Sequence, residues 1–474
     1  MATRGDIVHD VDAAPAGPRT GAFFDLDRTM VAGFSVFGLL FDAVLGGRIG
    51  PRQLGAATLA GLRFQLGQLP FADFVREAAG LLRGVTDEEM ERAGEQLFEQ
   101  RLAPVVYPEA MALVRAHRRA GHTLAIVSSA TRYQTEPLAR ALGIPHVLCT
   151  RLEVEHGRLT GDLVPPPCYG EGKLTAARGL AGGHGVDLEE TFFYTDSDED
   201  LPLLEQVGRP RPTNPGRGLA QIAAERGWPA RTFSSRGLPA TMDVVRTVLS
   251  VGSLVPSVLL GVPVALLEGR WQPLANLTIA TWGELGTALS GITLDVRGEH
   301  NLWAERPAVF IFNHQSAAEP LLLCKLLHHD FVAVAKQEVR RHPIFGPAFT
   351  IAGTVFIDRG NHGEALRALE PAVQALRDGL SLVVAPEGTR SSVGRLAPFK
   401  KGAFRMAMAA GVPIVPIVFL NSLDALPKHG IVARPARVEV VVHPPIPTRG
   451  WTAETLAGEI AAIERLYEET LAAW

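Results

Sequence analysis

The sequence predicts an α/β protein made of two units in tandem, and three observations carry that reading. Over residues 21–235, apolar stretches ending in acids or hydroxyls alternate with helical stretches, the pattern of a parallel sheet with crossover helices. Residues 296–445 repeat the pattern, and their apolar strand "PAVFIF" (307–312) runs out into Asn313-His314. Between them runs "TVLSVGSLVPSVLLGVPVALL" (247–267), with no charged residue. A chain of 474 residues is too long for one ordinary core, so two or three domains are expected.

Composition narrows the class. The chain is 47% hydrophobic and 20% charged, with net charge −4, which is globular and argues against a nucleic-acid partner. Cys149, Cys168 and Cys324 lack metal-ligand spacing, and so sparse a set suggests a reducing interior without disulfides. Residues 1–20 are polar and lack the apolar core of a signal peptide, so a flexible tail is expected there. No internal repeat is present.

In the first unit, "GAFFDLD", "HTLAIVSSA" (122–130) and "ETFFYTDSDED" (190–200) read as strands, with helices over 87–103 and 108–120. Functional loops of parallel sheets lie beyond the strands' carboxyl ends, where these acids and hydroxyls fall. Residues i and i+2 of an extended segment point the same way, so Asp25 and Asp27 converge on one small site. One carboxylate can attack phosphorus and the other protonate the leaving oxygen. A negative nucleophile meeting a negative substrate needs cations. Asp196 and Asp200 can help hold Mg²⁺, Lys173 in "GEGKLTAARGL" can neutralise phosphoryl oxygens, and Ser128 can hydrogen-bond one of them. Ser129 is the rival to Ser128.

Four ordered motifs make this unit resemble the haloacid dehalogenase superfamily, in its phosphoserine-phosphatase-like branch: Asp25-Leu-Asp27-Arg-Thr29, Ser128, Lys173, and Asp196 through Asp200. The resemblance implies a Rossmann-like fold over 21–235, with a helical cap at about 34–105 that selects the substrate. It also implies Asp25 as nucleophile, Asp27 as acid/base, and Mg²⁺ held by Asp25, Asp196 and the Asp27 carbonyl.

In the second unit, "FVAVA" (331–335), "TVFID" (354–358), "SLVVAP" (381–386) and "VPIVPIVF" (412–419) follow as strands, with a helix over 362–378. His314 can take a proton from an alcohol if a carboxylate fixes its other ring nitrogen, and Glu319, five residues on, is available. Ser316 lies between them without acid and base partners of its own, so direct transfer is preferred to a serine nucleophile. Arg359 after "GTVFID" and the turn Glu387-Gly388-Thr389-Arg390 suit a phosphate or carboxylate, since a guanidinium is a planar bidentate fork. Lys400 and Lys401 add charge nearby. A base beside an anion cradle suggests an acceptor with both a hydroxyl and a phosphomonoester.

"NHQSAAE", "GTVFIDR", "PEGTR" and "VPIVPI" resemble, in order, the four motifs of the glycerolipid acyltransferases, most closely the lysophosphatidic acid acyltransferase family. The resemblance implies an α/β acyltransferase domain over 296–474, with His314 as general base. Arg359, Glu387, Gly388, Thr389 and Arg390 would bind the acceptor phosphate, and Pro413–Pro416 would shape the acyl site. Glu319 stands where that family has Asp. Its arm is longer by about 1.5 Å, one C–C bond, so the pair must be re-spaced.

Residues 236–295 then read as linker and membrane-associated helices. The uncharged run is long enough to span a bilayer, but Pro256 and Pro263 each cost roughly 3 kcal/mol in an unassisted helix. A broken hairpin in one leaflet, a true span and a buried core segment all fit. The expectation is a bifunctional enzyme of phospholipid metabolism, monotopic on the cytoplasmic face, with acyl-CoA or acyl carrier protein as donor, lysophosphatidate as acceptor, and Mg²⁺. The alternatives are another lysophospholipid or glycolipid acceptor, or a membrane-tethered scaffold with a silent site.

Overall fold

A computed structural model of the chain describes residues 4–35, 71–341, 345–357 and 369–474, with Gly55, Leu59 and Arg63 between. They fall into two units, Met1–Leu238 and Pro239–Trp474. Both are α/β, as the sequence predicts.

The first unit contains β1 (Thr20–Phe24), β2 (Thr123–Thr131), β3 (His146–Thr150), the hairpin β4 (Leu152–Glu155) and β5 (Arg158–Leu163), then β6 (Asp187–Thr195) and β7 (Arg209–Pro212). Five of these form a parallel sheet in the order β3-β2-β1-β6-β7. Strand β1 is central and fully buried. Its neighbours lead away to opposite edges, so the crevice at the carboxyl ends of β1, β2 and β6 is the topological switch point where ligands of such sheets bind. Phe23, Val127, Phe193, Leu174 and Leu203 fill one core beneath it. The cap expected over 34–105 lies partly outside the described residues; within them, Phe71–Leu81 and Asp87–Leu97 are helices.

The flexible tail is overturned. Arg4–Asp12 is a helix, with Val11 fully buried. Asp10 is gripped by Arg211 at 2.6 Å and Arg231 at 2.5 Å, and the guanidiniums hold its carboxyl below the usual range although burial opposes them. Two apolar residues and one ion-paired acid suffice to dock a short polar helix.

The second unit adds β8 (Ile292–Arg297), β9 (Val309–Phe312), β10 (Phe331–Lys336), β11 (Val355–Ile357), β12 (Ser381–Val384), β13 (Ile414–Phe419) and β14 (Ala436–Val442). The order is β11-β10-β12-β9-β13-β14-β8, parallel except for β13 against β14. Alternate residues feed two cores, Phe310 and Phe312 on one face, Val309 and Ile311 on the other.

The uncharged run forms the helices Thr241–Gly252 and Leu254–Glu268, with Pro263 inside the second. Gly269, at φ 64°, reverses the chain into the helix Gln272–Ser290. A Cβ on Gly261 would come within 3.1 Å of the Leu274 backbone, so only glycine allows these two helices to pack so closely. The third helix sits as tightly on Glu319–Leu327: a Cβ on Gly283 would lie 2.6 Å from the Lys325 amide nitrogen. Val248, Val255, Leu259, Leu266, Leu267 and Trp271 remain exposed.

Candidate active sites

The first site gathers at the ends of three adjacent strands. Asp25 follows β1, and its amide donates to Tyr194 of β6 at 2.9 Å, which extends the ladder past the strand end. Asp196 follows β6 directly. Ser128 lies in β2 two residues past Ile126, the partner of Phe24, and is buried, whereas Ser129 is half-buried. Lys173 enters from the first turn of the helix Glu171–His184. Gly172 makes that approach possible, because a Cβ there would collide with the Pro167 carbonyl oxygen at 1.9 Å.

Lys173 bridges two carboxylates, its Nζ 3.0 Å from Asp25 and 2.7 Å from Asp200, with all three side chains buried. Burial disfavours the ammonium, yet Asp200 and Asp25 hold its pKa above the ordinary lysine value. Thr195 adds a 2.5 Å bond to the same Asp200 oxygen, so Asp200 acts on Lys173 and Thr195. Burial pushes Asp25 up, against the pull of Lys173. Asp196 rises to about 8 through burial and the charge of Asp25, although Arg28 lies 3.0 Å away. Asp27 rises to about 7 by burial, against two bonds from Ser35: its amide at 2.8 Å and its hydroxyl at 3.2 Å. Gln134 holds that hydroxyl at 2.8 Å.

Three buried carboxylates, Asp25, Asp196 and Asp200, thus face one buried ammonium and a part-exposed guanidinium. That surplus of hard negative oxygen fits a hard divalent cation, with the Asp25 and Asp196 carboxylates and the Asp27 carbonyl as donors. Among the described residues no three acids, histidines or cysteines are already gathered as a ligand set. Arg28 lies on Asp196 and Lys173 on Asp25 and Asp200 instead.

The second site is built on β9. Asn313 locks the strand end to β13, its Nδ2 donating to the Phe419 carbonyl at 2.8 Å and its Oδ1 accepting the Phe419 amide at 2.7 Å. His314 Nδ1 then lies 2.5 Å from Glu319 Oε2. A carboxylate only accepts, so Nδ1 carries the proton and Nε2 keeps the lone pair that could accept one. Glu319 is wholly buried, and its Oε1 accepts from the amides of Gln315 (2.9 Å) and Ser316 (2.8 Å) and from the Ser422 hydroxyl (2.7 Å). The longer acid therefore does reach His314. The Ser316 hydroxyl bonds the Leu426 carbonyl at 2.6 Å.

The anion cradle divides. Arg359 lies outside the described residues. Glu387, expected beside the phosphate, instead accepts the His314 amide at 2.7 Å and the Ala397 amide at 2.9 Å, so both its oxygens brace the backbone. Burial raises its pKa to about 7. Gly388 turns the chain at φ 78°, Thr389 is exposed, and Arg390 is half-buried within the field of Glu319. No other described residue hydrogen-bonds Arg390. Ser35, Arg28, Gln315 and Ser422 were not legible in advance: Ser422 is 103 residues from the carboxylate it touches, and no motif marks it.

Two family models match the chain: haloacid dehalogenase-like hydrolase over residues 22–205 and acyltransferase over 293–420. A probable phosphatase of Mycobacterium tuberculosis is 36% identical over 219 residues, 46% of this chain and 76% of that protein. A 1-acyl-sn-glycerol-3-phosphate acyltransferase of Limnanthes alba is 34% identical over 201 residues, 42% of this chain and 71% of that protein. The crystal structure of the 1-acyl-sn-glycerophosphate acyltransferase of Thermotoga maritima aligns at TM-score 0.39 and 23% identity, covering 48% of this chain and 96% of that one.

Proposed function

Since the chain belongs to the haloacid dehalogenase-like hydrolases through its first unit and to the acyltransferases through its second, we propose that it acts twice in phospholipid metabolism. The second unit transfers an acyl group from acyl-CoA or acyl carrier protein to 1-acylglycerol 3-phosphate, giving phosphatidate. His314 Nε2 takes the proton of the free glycerol hydroxyl as its oxygen attacks the thioester carbonyl. Glu319 holds the imidazolium that forms, and the proton then passes to the leaving thiolate. Arg390 and Arg359 bind the acceptor phosphate. The observation that carries this reading is the 2.5 Å contact between His314 and a wholly buried Glu319. The engaged Ser316 hydroxyl favours direct transfer over a serine nucleophile.

The first unit hydrolyses a phosphomonoester. Asp25 attacks phosphorus and forms an aspartyl-phosphate, while Asp27 protonates the leaving oxygen and then takes a proton from the attacking water. Mg²⁺, when bound by Asp25, Asp196 and the Asp27 carbonyl, offsets the negative charge of nucleophile and substrate. Lys173 and Ser128 receive the phosphoryl oxygens. An Asp27 carboxyl raised to about 7 suits a group that must both give and take a proton near neutrality.

The exposed apolar row from Val248 to Trp271 supports membrane binding. Thr241–Glu268 is apolar and long enough to cross a bilayer, yet its chain folds back at Gly269 onto Gln272–Ser290, which favours a monotopic seat. The intracellular acyl donors place that seat on the cytoplasmic face in this reading. The test is purified protein with Mg²⁺, labelled acyl-CoA and lysophosphatidate, with lipids and free phosphate followed together. Labelled phosphatidate is the expected product, and its absence with an active donor overturns the acyltransferase reading.

A further inference from the structure

We propose that Ser422 is a positioning residue of acyl transfer, and that its hydroxyl is what makes a glutamate at position 319 serviceable. The inference rests on the reading of His314 as the base. Glu319 begins the helix Glu319–Leu327, and its carboxylate is wholly enclosed. One oxygen faces His314 Nδ1 at 2.5 Å; the other accepts three hydrogen bonds. Two of these come from amides of the turn that carries His314, so they move with it. The third comes from Ser422, itself fully buried just past the end of β13, on a segment far away in sequence.

That difference matters mechanically. Local amides fix the carboxylate relative to its own turn. The Ser422 hydroxyl fixes it relative to the sheet, through the strand end that Asn313 also grips at Phe419. An aspartate here would fall short by about 1.5 Å, one C–C bond, and could not take Ser422 and His314 together. The longer acid and the distant hydroxyl are therefore one device. Among the described residues, the charged groups tied to the pair are Glu387, whose carboxylate accepts the His314 amide, and Arg390, which lies within the field of Glu319.

The experiment compares wild type with Ser422→Ala, Glu319→Asp and the double variant in the full chain, using acyl-CoA and lysophosphatidate. Thermal melts run in parallel, and His314→Ala is the control. Ser422→Ala is expected to lower kcat at least tenfold with KM for lysophosphatidate within twofold. Glu319→Asp is expected to lose at least tenfold. Adding Ser422→Ala to it should cost less than twofold more, because the hydroxyl no longer reaches. A Ser422→Ala protein with wild-type kcat, a wild-type Glu319→Asp, or additive losses in the double variant would each overturn the proposal. Should Ser422→Ala melt early, the Glu319→Asp pair decides alone. If His314→Ala kept its activity, the underlying reading would fall instead.

Discussion

Asn313 holds Phe419 by both ends of its amide, giving one hydrogen bond and taking one, at 2.8 and 2.7 Å. The residue before His314 is thereby tied to the end of the neighbouring strand. Replacement by Ala leaves the buried Phe419 amide without its acceptor, at a cost of about 1–3 kcal/mol, while the Phe419 carbonyl keeps the bond from Gln315 Nε2 at 3.0 Å. Asn313→Ala should therefore lower the melting temperature of the second unit by several degrees and reduce acyl transfer at least tenfold. Calorimetry and a thioester-release assay on the same preparation check this, and an unchanged melt would refute it.

The two chemistries should come apart. Asp25→Asn removes the proposed nucleophile and leaves every residue around His314 in place; His314→Ala does the reverse. Phosphate release is expected to vanish in the first and acyl transfer in the second. Loss of both activities from either change, in protein that still melts as two units, would contradict two independent sites.

Glu387 predicts a pH effect on stability. Its folded pKa, about 7, lies above the free value of 4.5 because burial disfavours the charge. Below 4.5 the group is protonated both folded and unfolded and contributes nothing. As pH rises from there to about 7 the folded state is progressively penalised, by roughly 3 kcal/mol on the linkage relation. Glu387→Gln removes that titration, at the expense of one backbone acceptor. Its melting temperature should fall less than that of wild type between pH 5 and pH 8. Parallel slopes would show that Glu387 does not titrate in this range.

Leu266 and Leu267 are 78% and 87% exposed, so charges there should leave the fold intact. Leu266→Glu with Leu267→Glu is expected to weaken binding to anionic phospholipid vesicles at least tenfold, by lost apolar burial and added repulsion. Acyl transfer to detergent-dispersed lysophosphatidate should stay within twofold. Vesicle co-sedimentation unchanged by the pair would remove these residues from the membrane contact.

Much of the architecture could be read in advance because strand ends and chemistry coincide. β1, β2 and β6 each finish in the acids or hydroxyls that the sequence singled out, and β9 finishes in Asn313-His314. β7 was hidden: "RPRP" looks like a turn, and it pairs only because it lies at the sheet edge, where proline's missing donor is tolerated. The docked helix Arg4–Asp12 was hidden too, since its hold depends on arginines about 200 and 220 residues away. Glu387 misled for a different reason. An acid beside Gly388 and Arg390 looks like part of an anion cradle, but only coordinates reveal that backbone amides take both its oxygens.

Gly283 gives the apolar helices a second meaning. With no side chain there, the backbone of Gln272–Ser290 rests directly on that of Cys324–Lys325, in the helix whose first residue is Glu319. The outer helices and the helix that begins with Glu319 are thus joined by direct backbone contact. The exposed apolar helices are therefore built into the same packing that holds His314 and Glu319, and cutting them away is expected to disturb that pair along with the apolar surface.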